Sequence, residues 1–143
     1  MPFAISSDGR RLFTLTQTGG ICVWDTASCE SLVLLETQVP DGQVLALSPD
    51  ETRLGVGGGD GVIKLWDLQT RTLVTQLPRV FYRPLSLVVS PDNQFVAISC
   101  YGGQVEAWQI SGPRELWSTQ YHTLPVSALA ISALVRLGRK SSR

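Results

Sequence analysis

A 42-residue register governs this chain. Asp8, Asp50 and Asp92 recur at that interval, and so do Trp24, Trp66 and Trp108. Ser6, Ser48, Ser90 and Ser132 carry the series to a fourth member. Glycine-rich turns fall between the Asp and the Trp each time: Gly19-Gly20, the run Gly57-Gly58-Gly59-Asp60-Gly61, and Gly102-Gly103. A marker set repeating in this way specifies supersecondary units that stack on one another, because one such unit cannot bury its apolar faces alone.

Inside each period, short β-type runs alternate with turn residues. The first unit predicts strands over Phe3–Ser6, Arg11–Thr16, Ile21–Asp25 and Ser31–Leu35. The second predicts Val44–Ser48, Arg53–Gly57, Val62–Asp67 and Leu73–Leu77, with tight turns at Pro49-Asp50 and Gly59-Asp60-Gly61. The third predicts Leu85–Ser90, Gln94–Ser99, Gln104–Trp108 and Arg114–Thr119. Runs such as Ile21-Cys22-Val23-Trp24 and Leu85-Ser86-Leu87-Val88-Val89 lack clean polar alternation, so each sheet needs cover on both faces. Radial stacking of four-stranded antiparallel blades supplies it, and the expected fold is an all-β, partial β-propeller.

The units SPDETRLGVGGGDGVIKLWDL and SPDNQFVAISCYGGQVEAWQI resemble the WD-repeat family, and Trp24-Asp25 and Trp66-Asp67 match its signature dipeptide. The resemblance runs over residues 3–132. It implies repeat units at about 3–37, 43–78 and 85–120, a lone first strand at 126–132, and a basic non-repeat tail at 133–143. It also implies a structural tetrad in which a His, a Ser or Thr, and an Asp tie the Trp into the blade. Thr16 and Trp24 match in the first unit, with Thr18 in the place of the Asp. Asp60 and Trp66 match in the second, with Gly58 at the hydroxyl position. In the third, Cys100 and Gly102 leave Trp108 alone, and His122 matches the His of a fourth unit. All three register tryptophans are expected to be packing residues.

Closed rings of this family usually hold seven blades, which at this period need about 294 residues. The register stops after Ser132, where Ala133-Leu134 stand in place of the next Pro-Asp. The expectation is a fragment or isoform of a longer WD-repeat protein, with a degenerate last repeat as the alternative. Uncovered blade faces would favour association, and a second copy could complete a ring.

Charge and composition narrow the function. Arg136, Arg139, Lys140 and Arg143 offset an excess of four acidic charges in residues 1–135. A mildly acidic body makes nucleic acid an unlikely partner. Cys22, Cys29 and Cys100 lack metal spacing and suit reduced thiols of the cytosol or nucleus, so the expected location is cytoplasmic, with nuclear or cytoskeletal and ciliary association as the alternatives. The most apolar stretch, 126–135, is too short to cross a bilayer, so membrane insertion is not expected. The glycine run lacks both phosphate-loop spacings. No cofactor, metal or catalytic residue is expected.

The candidate binding residues lie in loops entering the first strand of each unit. Arg79, Phe81, Tyr82 and Arg83 interleave cations with aromatics, and Gln38–Asp41, Tyr121 and His122 are their neighbours in register. Such side chains anchor protein interfaces. The expected role is a scaffold or adaptor that binds other proteins. The alternatives are a rim-surface reader of modified peptide or nucleic acid, and, last, a propeller enzyme. Fold alone does not choose among them.

Overall fold

The computed structural model describes residues 2–39, 41–77, 83–111 and, as backbone alone, 114–120. The described residues form twelve strands. The first sheet holds β1 (Phe3–Ile5), β2 (Arg11–Leu15), β3 (Gly20–Asp25) and β4 (Ser31–Glu36). The second holds β5 (Gly42–Leu47), β6 (Arg53–Gly58), β7 (Ile63–Asp67) and β8 (Thr72–Leu77). The third holds β9 (Pro84–Val89), β10 (Phe95–Cys100), β11 (Gln104–Gln109) and β12 (Arg114–Gln120). Each is an antiparallel meander in chain order. The strands match those expected from the register to within two residues. The region 126–132 and the tail 133–143 lie outside the described residues.

β1 and β9 both pack against β5, so the sheets follow one another about their first strands as blades. Two cores fill the gaps between blades. Phe13, Leu15, Ile21 and Leu35 of the first blade meet Leu54 and Val56 of the second, with Leu45, Leu47 and Trp66 at the margin. Val44, Ile63, Leu65 and Leu77 on the second blade's other face meet Leu87, Val89, Val96 and Ile98 of the third. The second blade is therefore apolar on both faces, which is why its strands read as near-continuous hydrophobic runs.

The blades come close because β6 carries glycine where side chains would collide. A Cβ on Gly55 would lie 2.8 Å from Leu87 Cδ2. One on Gly57 would lie 2.7 Å from Ile63 Cδ1 and Val44 Cγ2 of its own blade and 3.4 Å from Pro84 Cγ of the third.

The repeated Ser-x-Asp is a turn-forming device. Ser6, Ser48 and Ser90 each donate a hydroxyl to the Asp two residues on, at 2.6, 2.8 and 2.7 Å. The same hydroxyls accept from the backbone N–H of Arg11, Arg53 and Phe95. The turn needs a left-handed residue, filled in register by Gly9 (φ 71°), Glu51 (φ 63°) and Asn93 (φ 59°). Asn tolerates this conformation better than most residues, whereas Glu is strained there.

Two of these left-handed residues reach the blade before them. Glu51 accepts from Ser7 N and Oγ at 2.9 and 2.7 Å and pairs with Arg11 at 2.8 Å. Asn93 Nδ2 donates to Asp50 Oδ2 at 2.7 Å. The turns after β1, β5 and β9 thus latch adjacent blades at one end of the stack.

Candidate functional site

The opposite end of the stack is the rim where β1, β5 and β9 begin and β2, β6 and β10 finish. A hollow of about 680 Å³ opens there, lined by Pro2, Leu15, Thr16, Gln17, Asp41, Gly42 and Gln43. Gly42 is required at its wall, because a Cβ would sit 2.0 Å from Leu15 Cδ2.

A polar chain crosses from this hollow to the third blade. Gln43 Nε2 donates to Asp41 Oδ1 at 3.0 Å, and Gln43 Oε1 accepts from Arg83 Nε at 2.9 Å and also from its Nη2. The Arg83 carbonyl accepts from Tyr101 N at 2.8 Å. Asp41, Arg83 and Tyr101 are exposed, Tyr101 at 58%, and Gln43 between them is half-buried. The rim therefore presents a carboxylate, an amide and a guanidinium in series, with the exposed Tyr101 joined to Arg83 through the backbone. Of the expected binding residues, Arg83 takes part in this series. Arg79, Phe81, Tyr82 and Tyr121 lie outside the described residues, as does His122.

Gln38–Asp41 divides between packing and rim. Val39 is buried in the core between the first and second blades, and Thr37 Oγ1 donates to Gly19 O at 2.7 Å. Asp41 alone of the described part of this loop joins the polar chain.

Tyr101 was not singled out from sequence. It occupies the second-to-third-strand turn, in register with Gln17 and Gly59. An aromatic in a turn whose register mates are Gln and Gly has no core to fill, and that mismatch was the available signal.

The register tryptophans do not share one environment. Trp66 and Trp108 are partly buried against the two cores. Trp24 is 37% exposed, contrary to the expectation of a packed indole, because no described sheet covers its face of the first blade. Its hydrogen bond also corrects the expected tetrad. Trp24 Nε1 donates to Thr14 Oγ1 at 3.0 Å, not to Thr16. Leu12 lies opposite Trp24, so the next residue on the same face is Thr14. Thr16 Oγ1 instead accepts from Gly20 N at 2.8 Å and contacts Thr18 Oγ1 at 3.2 Å.

The hydroxyl position in the other blades is therefore Val56 and Ile98, not Gly58 and Cys100. Trp108, expected to stand alone, donates to Glu106 Oε1 at 2.8 Å. Trp66 Nε1 is buried and finds no acceptor among the described residues. Asp60 accepts from Val62 N at 3.1 Å within its own turn, and Gly61 N donates to Gly58 O at 3.1 Å. The glycine run is thus a strand end followed by a β-turn.

No group of three or more His, Cys, Asp or Glu among the described residues could hold a metal ion. Burial, with the charge of Glu106 behind it, pushes the Cys100 thiol up to about 12. Such a thiol is a poor nucleophile at neutral pH. No helix of the described residues is long and apolar enough to cross a membrane.

Comparison with known proteins agrees with this architecture. Residues 34–67 match the family model of the WD domain, G-beta repeat. The chain is 25% identical to the Protein LST8 homolog of Drosophila pseudoobscura pseudoobscura, over 85% of this chain and 39% of that protein. It is 28% identical to Transcription factor unc-37 of Caenorhabditis elegans, over 87% of this chain and 20% of that protein. It is 30% identical to Protein groucho of Drosophila melanogaster, over 91% and 18%. The chain thus spans well under half the length of these relatives. Kuenenia stuttgartiensis hydrazine synthase shares the fold at a TM-score of 0.73 and 18% identity, over 87% of this chain and 36% of that one. With its 42-residue register, its three four-stranded sheets and this family match, the chain is a WD-repeat protein built as blades of a β-propeller.

Proposed function

We propose that the chain is a protein-binding scaffold that uses the rim at the start of β1, β5 and β9. The observation that carries this reading is the line Asp41–Gln43–Arg83–Tyr101 beside the 680 Å³ hollow. Gln43 tethers the Arg83 guanidinium, so little side-chain entropy remains to be lost when a partner docks. Arg and Tyr are the residue types that most often dominate binding energy at protein interfaces. The described rim offers hydrogen-bonding groups and shape, with no metal cluster or activated nucleophile beside them. The free cysteines fit a cytoplasmic location, which is part of the same proposal.

Affinity capture with the tagged chain, compared with Arg83→Ala and Tyr101→Ala, tests the reading. Partners that use the rim should bind each variant roughly tenfold or more weakly, the usual size of a hot-spot loss of about 1–2 kcal/mol. Leu73→Ala, on the outer strand β8, should leave capture unchanged. Equal capture by all four proteins would remove the rim from consideration.

A further inference from the structure

We propose that Ser7 is a phosphorylation site, and that a phosphate there releases the latch between the first and second blades. Ser7 departs from the repeat, because Pro49 and Pro91 stand one and two periods after it. Its own turn does not need the Ser7 hydroxyl, since Ser6 and Asp8 close that turn. Ser7 instead crosses the blade boundary. Its N–H and its Oγ both donate to Glu51 Oε2, at 2.9 and 2.7 Å. A proline in that place has neither donor. Other exposed hydroxyls, such as those of Thr26 and Thr70, bond within their own blade.

Exposure at this position does not depend on what flanks the first blade. Pro49 fills the same position in the second blade, which has a blade on either side, and it is exposed as Ser7 is. An incoming enzyme therefore meets the Ser7 hydroxyl at the surface.

The latch rests on one carboxylate. Glu51 Oε2 takes both Ser7 donors, and Oε1 takes Arg11 Nη2 at 2.8 Å. The Ser7 bonds, the hydroxyl's first, hold the Glu51 carboxyl below its usual range. They also offset the strain of a glutamate at φ 63°, where the register otherwise places Gly9 and Asn93. A protein kinase transfers the γ-phosphoryl group of a nucleoside triphosphate. The Ser7 Oγ–P bond forms, the bond from Pγ to the leaving diphosphate breaks, and the hydroxyl proton passes to the kinase's base. Oγ then has no proton to donate, and about 1.5–2 negative charges stand beside the Glu51 carboxylate. Arg11, which reaches the same carboxylate, is drawn to the phosphate oxygens on its own blade. The second blade loses both partners.

Two measurements on the full chain test this. Phosphopeptide mapping after expression in eukaryotic cells should find phosphate on Ser7, and its absence would overturn the assignment. The chain carrying genetically encoded phosphoserine at position 7 tests the effect. Urea titration at low salt should show the folded-to-unfolded ratio falling about fivefold or more, with most of the loss recovered in about 1 M sodium chloride. Ser7→Ala, which removes the hydroxyl and adds no charge, should change the ratio less than about threefold. In Glu51→Gln the phosphate should have little effect, because no carboxylate then faces it. A phosphorylated chain that folds only as Glu51→Gln is the same result in its extreme form. An unchanged ratio, a loss matched by Ser7→Ala, or a loss as large in Glu51→Gln would each overturn the switch.

Discussion

Asn93 of the third blade donates its side-chain amide to Asp50 of the second at 2.7 Å. Partial burial works to raise the Asp50 carboxyl, but hydrogen bonds from Ser48, Thr52 and Asn93 outweigh it and hold the group at about 2. A carboxylate whose folded value is depressed contributes stability above its unfolded value near 3.8, and loses it as pH falls toward the folded value. Hydrogen bonds hold Asp8, Asp25, Glu51 and Asp67 down in the same direction. The melting temperature should therefore be flat from pH 7 to about 5 and fall between about pH 4 and 2. Asn93→Gly, which removes the amide but keeps the left-handed backbone, should lower stability at pH 7 by no more than about 1 kcal/mol, because the pair is exposed and screened. It should also shrink the acid-side loss. Thermal melts of both proteins at several pH values check the point.

Packing between the second and third blades should be much less forgiving. Gly57→Ala places a methyl carbon 2.7 Å from Ile63 Cδ1 and Val44 Cγ2, both in a core with little room to shift. Overpacking of this kind costs about 1–3 kcal/mol. Gly9→Asn is the contrasting case: its Cβ meets nothing within 4 Å, and Asn93 already holds the equivalent backbone conformation. Urea titration should show a clear loss for Gly57→Ala and a change within about 0.5 kcal/mol for Gly9→Asn.

The strand order and the turns were legible because each is written several times in one register. The left-handed glycines Gly19, Gly61 and Gly103, with φ of 96°, 87° and 84°, all sit 42 residues apart. What the register could not convey was which residue faces which across a strand pair. Reading Thr16 as the partner of Trp24 missed by two positions, because the indole reaches to the next side chain on its own face, and that depends on Leu12 standing opposite. The partner of Trp108 was hidden for a different reason. Glu106 is a carboxylate on the same strand, outside the expected hydroxyl pattern, and shows itself only once the strand is folded. The rim was half legible: Arg83 followed from its cation–aromatic setting, but Gln43 matters only through the bond it makes.

The same correction yields a stability test. Val56 stands at the position that Thr14 fills in the first blade, and Trp66 Nε1 has no acceptor among the described residues. Val56→Thr should give the indole a partner. The net effect is small in either direction, because the new hydroxyl is itself buried. The informative quantity is the coupling in a double-mutant cycle with Trp66→Phe. It should be about 1 kcal/mol in favour of the threonine when the indole is present. No measurable coupling would mean that the two side chains do not meet.

The three thiols should separate cleanly by reactivity. Cys29 is exposed in the turn between β3 and β4, Cys22 is half-buried on the first blade, and Cys100 is buried. Alkylation needs both access and thiolate, and Cys100 has neither, with its thiol pushed up to about 12. With iodoacetamide at pH 8, peptide mass spectrometry should find Cys29 labelled first and Cys22 more slowly. Cys100 should stay unlabelled until urea opens the core between the second and third blades. Since Cys100 belongs to the same core as Ile98 and Val44, its labelling rate also reports how often the two blades part. Gly57→Ala, which strains the same core, should speed Cys100 labelling while leaving Cys29 unchanged. Early labelling of Cys100 in the unmodified protein would show that this core is not closed in solution.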